Sequence, residues 1–271
     1  MPRRSHPFRG AISSIYVYKC DGPPQYRIEE ITDYIAKTYP KTKVVAREDF
    51  FSLALKQENH PDIDDLARKI TLCRVHKVNQ ETEDFSPLAL EIDYEKKRLI
   101  ADQQLKGVIY DGFKLQAVCR KLLAPGELNF STCHIIFTNQ LIASFDAGDR
   151  RYHLRVGIYG YPHIISTPGL IEALAKPREY YLKLQMGIDA LSLNQEFKQE
   201  IISYEDSRIS ELLKGYCLQA LFHQLKGDPF CFDKNCRLYN AHWQKEAIWA
   251  QIEAEDEFCP KHTEIISQWQ K

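Results

Sequence analysis

The stretch 207–238, SRISELLKGYCLQALFHQLKGDPFCFDKNCRL, decides how this chain is read. Ile209, Leu212, Leu213, Tyr216, Cys217, Ala220 and Leu221 recur at three- and four-residue intervals, which predicts a long helix with one core-facing stripe. Gly227 is placed to stop it, because glycine enters the left-handed conformation that closes a helix without steric cost. Beyond the glycine stand Cys231 and Cys236, with four residues between them. Near the C-terminus Cys259 is followed by His262, giving the spacing C-x4-C-x22-C-x2-H.

Three thiolates and one imidazole are a donor set suited to Zn²⁺, a borderline-soft ion that takes four such ligands tetrahedrally in structural sites. Lys234, Arg237 and Lys261 flank the ligands and are expected to offset the negative charge of three thiolates around a dication. Two other readings stay open: a chance coincidence of cysteines with an exposed His262, and a disulfide between Cys231 and Cys236.

Working outward, 11–19 alternates like a strand, 27–39 has helical spacing and 41–49 reads as a second strand, a β-α-β opening. Helices are expected at 62–76, capped by Asp62, and at 112–124, ended by Pro125-Gly126. The segment between them resists assignment. A β-hairpin is expected from 134–146 and 151–160 around the turn 147–150, with Gly148 permitting the turn. Thr167 as N-cap and Pro168 at the first helical position then open another helix. The pattern is α/β (α+β): a basic tail over 1–10, a mixed-sheet body over 11–226 and a zinc-stapled lobe over 227–271.

The totals exclude several function classes. Lys plus Arg number 36 and Asp plus Glu 37, so a net charge of −1 supplies no field that would draw nucleic acid or anionic lipid. No run approaches the roughly 18 apolar residues of a membrane span, and 11–19 fails as a signal-peptide core, so a cytoplasmic protein is expected. Five of the eight cysteines (Cys20, Cys73, Cys119, Cys133 and Cys217) lie in apolar runs and read as buried free thiols. The glycines of RVGIYGYPHIISTPG lack the spacing of a phosphate-binding loop, so no nucleotide site is expected.

The frame of Gly227, Cys231, x4, Cys236 and the distal DEFCPKH resembles the archaemetzincins, zinc metallopeptidases of the metzincin clan. Their catalytic helix ends in H-E-x-x-H-x-x-G-x-x-H-C-x4-C-x-M, followed by a further C-x-x-C. The strings GYPHIISTPGLIEA and CRLYNAHWQKE are also similar to an archaeal group of metallopeptidase relatives. The resemblance implies a metzincin-like twisted mixed sheet with an edge hairpin before the long helix, and a second, cysteine-rich zinc site. It departs where catalysis would sit. The three histidine positions hold Ala220, Gln224 and Phe230, the glutamate position Leu221, the methionine position Leu238, and the last cysteine is His262.

A zincin needs two histidines one helical turn apart and a glutamate to polarise the metal-bound water. His223 is one residue out of register, about 100° around the helix. It could rebuild a site only with partners among His134, His153, His163 and His242, while Asp146, Asp149, Arg150 and Arg151 read as turn residues. Glu172 and Glu211 are merely helical carboxylates. The leading expectation is one structural zinc, no catalytic zinc, and a non-catalytic module that binds an extended peptide or protein along the edge strand. The rivals are a divergent metallopeptidase with other ligands, His223 first among them, and a zinc-stapled assembly protein.

Overall fold

The computed structural model of the chain describes residues 11–57, 60–82, 85–101 and 107–270; the basic tail 1–10 lies outside them. The opening β-α-β unit forms as read. Strands β1 (Ser14–Tyr18) and β2 (Lys43–Arg47) are parallel, joined by α1 (Ile28–Thr38), which turns Ile28, Ile31 and Ile35 inward. Three short helices follow: α2 (Phe50–Leu55), α3 (Ile63–Thr71) and α4 (Ala89–Ala101). Asp49 and Asp62 cap the first two through backbone N–H groups of Ser52 and Asp65. Helix α3 stops earlier than expected because residues after Thr71 turn into β pairing: Val75 donates to the Ile109 carbonyl and Arg74 bridges Tyr110. Within the segment that resisted assignment, Ala89–Ala101 form α4.

Strand β3 (Ile109–Asp111) leads into α5 (Gly112–Leu122), whose first N–H groups are held by the Asp111 carboxylate. The expected long strand over 134–146 is two strands, β4 (Thr132–Thr138) and β5 (Leu141–Asp146), which belong to different sheets. The break at Asn139-Gln140 is stable because partners outside the ladder satisfy its backbone. Thr138 Oγ1 accepts from the Gln140 N–H, Ser166 Oγ donates to the Gln140 carbonyl, and the Thr167 N–H bonds the Thr138 carbonyl. The hairpin partner also divides, at Val156, into β6 (Arg151–Arg155) and β7 (Gly157–Ile158). In the turn, Arg150 rather than Gly148 takes the left-handed conformation, with φ 55°, while Asp146 accepts from the Gly148 N–H.

Strand β8 (His163–Ser166) completes a five-stranded sheet in the order β2-β1-β4-β8-β7. All its pairs are parallel except β7 with β8, so the short antiparallel strand forms the edge, and the β5–β6 hairpin belongs instead to a three-stranded sheet, β3-β5-β6. Helix α6 (Gly169–Glu172) begins one residue later than expected. Pro168 is its N-cap, and Ser166 Oγ, not Thr167, accepts from the Gly169 N–H. Helices α7 (Arg178–Gln185) and α8 (Ala190–Glu196) form a hairpin, followed by the long α9 (Ile209–Lys226). The chain ends with α10 (Gln244–Ile248), a π-helical turn and α11 (Pro260–Gln270).

Alternation along the strands divides the interior. Ile15, Val17, Cys133, Ile135 and Ile165 face a core shared with α1 and α9, while Tyr18, Ile136 and Ile164 face a second core under α2, α3 and α5. The α9 stripe expected from sequence is buried, but so are Ser210, Gly215, Leu218, Gln219, Phe222 and Gln224, so the helix is enclosed nearly all round. Gly227 closes it with φ 76°. Cys231, Cys236, Leu238, Ile248 and Ile266 pack into the same core as α9, which ties the C-terminal segment to the body.

Candidate metal centre

Past Gly227 the chain forms a knuckle. The Cys231 N–H bonds the Leu238 carbonyl, the Asp233 N–H points at Cys231 Sγ at 3.4 Å, and Cys236 and Tyr239 close successive turns. Cys259 stands immediately before α11, and the His262 N–H returns to its carbonyl, so the first helical turn aims the imidazole back at the knuckle. The structure thus brings Cys231, Cys236, Cys259 and His262 together, with one ligand atom of each within 4.8 Å of all the others.

The spacing within the cluster is close to that around a tetrahedral ion, and tighter on the imidazole side. Bonds of about 2.3 Å to sulfur and about 2.0 Å to nitrogen place tetrahedral ligand atoms roughly 3.5–3.8 Å apart. Cys231 Sγ lies 3.8 Å from Cys259 Sγ, and His262 Nδ1 lies 3.4 Å from Cys236 Sγ and 3.1 Å from Cys259 Sγ. All eight cysteines are free, so the Cys231–Cys236 disulfide is not formed, and the five expected buried thiols are buried. Burial pushes the Cys236 thiol up to about 12 and holds His262 below the usual imidazole range, helped by the Lys261 charge. A neutral imidazole is ready to ligate, and a cation is what would let buried thiols ionise here.

The flanking cations behave differently from expectation. Arg237 is buried, its guanidinium held by Glu211 and Glu257 and lying 4.8 Å from the Tyr34 ring, and Lys234 is exposed with Glu246 at 3.9 Å. Both are committed to carboxylates rather than to thiolates. Packing fastens the other side of the centre: the His262 ring meets Phe222 of α9 edge-on at 5.2 Å, and Trp269 of α11 packs on Phe222 and Tyr39.

At the helix positions where the resemblance expects ligands, the side chains make structural contacts. Ala220 and Leu221 are fully buried in the core. Gln224, 4 % exposed, uses both ends of its amide: Nε2 donates to the carbonyls of Phe130 and Thr132, and Oε1 lies 3.2 Å from His163 Nε2. His163 Nδ1 accepts from the Gly160 N–H, so its Nε2 carries the proton that Gln224 receives. Burial first, then the neighbouring His223, pushes His163 down to about 3, a neutral ring with both nitrogens engaged. Phe230 packs edge-on to Tyr159, and His223 meets the rings of Tyr159 and His163.

The other histidines do not join them. His134 is bonded to the Tyr18 hydroxyl and the Glu127 carbonyl, and burial lowers its pKa. His153 pairs with Asp149 on the exposed hairpin, and the His242 backbone is bonded to Glu246. Glu211 pairs with Lys214 and Arg237, while Glu172 accepts from Tyr204. Among the described residues the only other potential ligand group is Asp146, Asp149 and His153; all three are hydrogen-bonded in the hairpin turn, Asp146 to the Gly148 N–H and Asp149 to His153. At Gly169 an added Cβ would lie 2.8 Å from the Arg155 carbonyl, so only glycine allows this close approach.

Two of the several hollows on the described surface adjoin the elements discussed above. A cleft of about 1,100 Å³ lies over Tyr18, Arg47, Phe50 and Lys121, on the sheet face away from the metal centre. A smaller one, about 150 Å³, is lined by Gly157 of β7, Tyr159, Tyr216 and Gln219 of α9, Phe230 and His242. No described helix is long and apolar enough to cross a membrane. No curated protein and no solved structure matches the chain. A family model described as "Probable metallopeptidase family (DUF6775)" matches residues 11–269, nearly the whole chain, and the protein belongs to that family.

Proposed function

We propose that the protein is a zinc-stapled, non-catalytic member of its metallopeptidase family that binds extended peptide segments. The observation that carries this reading is Gln224. The residue standing where the resemblance places a histidine ligand has its whole amide consumed by Phe130, Thr132 and His163, one turn from a buried alanine and leucine. Neither a ligand pair nor a carboxylate base is on that stretch of helix, so a water has nothing to activate it there. A four-ligand Cys₃His centre supplies structural chemistry when loaded, because no coordination position is left for water or substrate.

Peptide binding is supported by β7 and what lies beside it. β7 ends the five-stranded sheet, so a strand laid along it would extend the ladder, and the adjoining hollow offers Tyr159, Tyr216 and Phe230 to side chains. The test is metal stoichiometry with peptide cleavage, measured on the wild type and on Cys231→Ser and Cys259→Ser. One zinc per chain, lost in both variants, and no chelator-sensitive cleavage of a peptide library is expected. A second zinc that persists in the variants, together with cleavage, would establish the divergent peptidase instead.

A further inference from the structure

Helices α7 and α8 build a protruding hairpin with a small core of its own, Tyr180, Leu193, Phe197 and Ile201, separate from the two main cores. Its geometry is fixed from several directions. Lys183 reaches Glu179 and, across the hairpin, Glu196; Tyr180 donates to Asn194; and Asp189 caps α8 through the N–H groups of Leu191 and Ser192. Gly187, φ 88°, closes α7, with its N–H on the Leu184 carbonyl and the Ile188 N–H on the Lys183 carbonyl.

This framework holds apolar side chains out in water. Leu182 is 60 % exposed, Met186 80 % and Leu191 82 %, and Tyr181, Leu184 and Ile188 are about two-fifths exposed beside them. Six large apolar side chains within eleven residues are left partly or largely in water, a density above that of singly scattered apolar residues on an ordinary surface.

We propose that the tip of the α7–α8 hairpin is the contact surface between two copies of this chain. Area favours this occupant. The six residues leave at most roughly 700 Å² for contact at their exposures, so a two-fold contact removes up to roughly 1,400 Å², which reaches the range of about 1,200–2,000 Å² for a stable interface. Charge favours it as well. Over 178–191 Arg178 and Lys183 balance Glu179 and Asp189, so the patch meets its own copy without net repulsion, and it has no cationic excess to draw an anionic lipid surface. A two-fold contact is self-complementary, so each apolar side chain counts twice.

The test is sedimentation of the full chain from about 1 to about 100 µM, a range that spans ordinary dimer affinities. A species of twice the 31.6 kDa chain mass is expected. Leu182→Glu with Leu191→Glu should weaken association by at least about tenfold, as should Leu191→Lys alone, the gentler variant at the most exposed position. Leu90→Glu, at an 80 % exposed position on α4, should leave association unchanged. A wild-type monomer throughout the range, or a dimer that survives both hairpin variants, overturns the proposal. So does co-sedimentation of the wild type with phosphatidylserine vesicles that the hairpin variants abolish, which would assign the patch to lipid. None of these readouts depends on zinc content or peptide binding.

Discussion

Replacing Gln224 by leucine tests whether this position is a structural clasp. Leucine has nearly the same volume but no amide, so His163 Nε2–H and the Thr132 carbonyl, both buried, lose their partner, while the Phe130 carbonyl is nearer solvent and can recover a water. A buried polar group left unsatisfied costs about 1–3 kcal/mol, and two of them predict a loss of about 3 kcal/mol. For a chain of this size that corresponds to a melting temperature lower by roughly 5 °C. Urea unfolding followed by tryptophan fluorescence measures it, with an unchanged denaturant slope expected because the exposed area on unfolding is the same. The zinc content should stay at the wild-type value. A loss below about 1 kcal/mol would show that the three bonds are not what holds α9 to β4 and β8.

Chelation or Cys236→Ser should loosen the C-terminal segment first: hydrogen-exchange protection is expected to fall in 231–239 and 259–270 while β4 stays protected, since zinc held by such ligands contributes on the order of 10 kcal/mol to small motifs. Uniform loss of protection would argue against a local staple. Acid should destabilise the fold through His163. Its folded pKa of about 3 lies below the ordinary value of 6.5, so its contribution is complete above about pH 6.5 and is lost as pH falls towards 3, by at most about 1.4 kcal/mol per pH unit. His134, also lowered by burial, adds the same sign, and a urea midpoint that stays flat from pH 7 to 5 would refute this. Gly169→Ala should destabilise by about 1–3 kcal/mol in thermal melts despite alanine's better helix propensity, because the new Cβ would sit 2.8 Å from the Arg155 carbonyl, a backbone atom that cannot step aside. An unchanged or raised melting temperature would show that the helix start has slack.

Much of this was legible in the sequence, for reasons that differ from residue to residue. The opening β-α-β unit follows from periodicity, and the α9 terminus from one glycine, because these are local effects. The convergence of Cys231, Cys236, Cys259 and His262 was legible because paired short spacings anticipate it even across a gap of 22 residues. What escaped was decided by distant partners. Nothing in TNQLIA marks a strand break, since Asn139-Gln140 is stabilised by Ser166 and Thr167, far along the chain. The role of Arg237 was misread because its partners, Glu211 and Glu257, lie on either side of it in sequence at distances no local pattern reveals. The α7–α8 tip escaped because helical spacing indicates amphipathicity but not which apolar side is left without a neighbour.

The two halves of the stretch 207–238 are mechanically linked. The tie between the helix and the chain beyond its terminal glycine is divided between two devices. Gln224 anchors the last turn of α9 to β8 and to the entry of β4, while the Cys₃His cluster anchors the chain after Gly227 to α11, whose His262 and Trp269 return to Phe222 on α9. Phe222 and Gln224 are two residues apart and face opposite partners, so the last turns of the helix are clamped from both sides. Loosening either clamp should therefore weaken the other: the Gln224→Leu and Cys236→Ser losses are expected to be non-additive by about 0.5 kcal/mol or more in a double-mutant cycle, the signature of residues sharing one rigid element. Strict additivity would mean that Gly227 uncouples the two halves and that each is held independently.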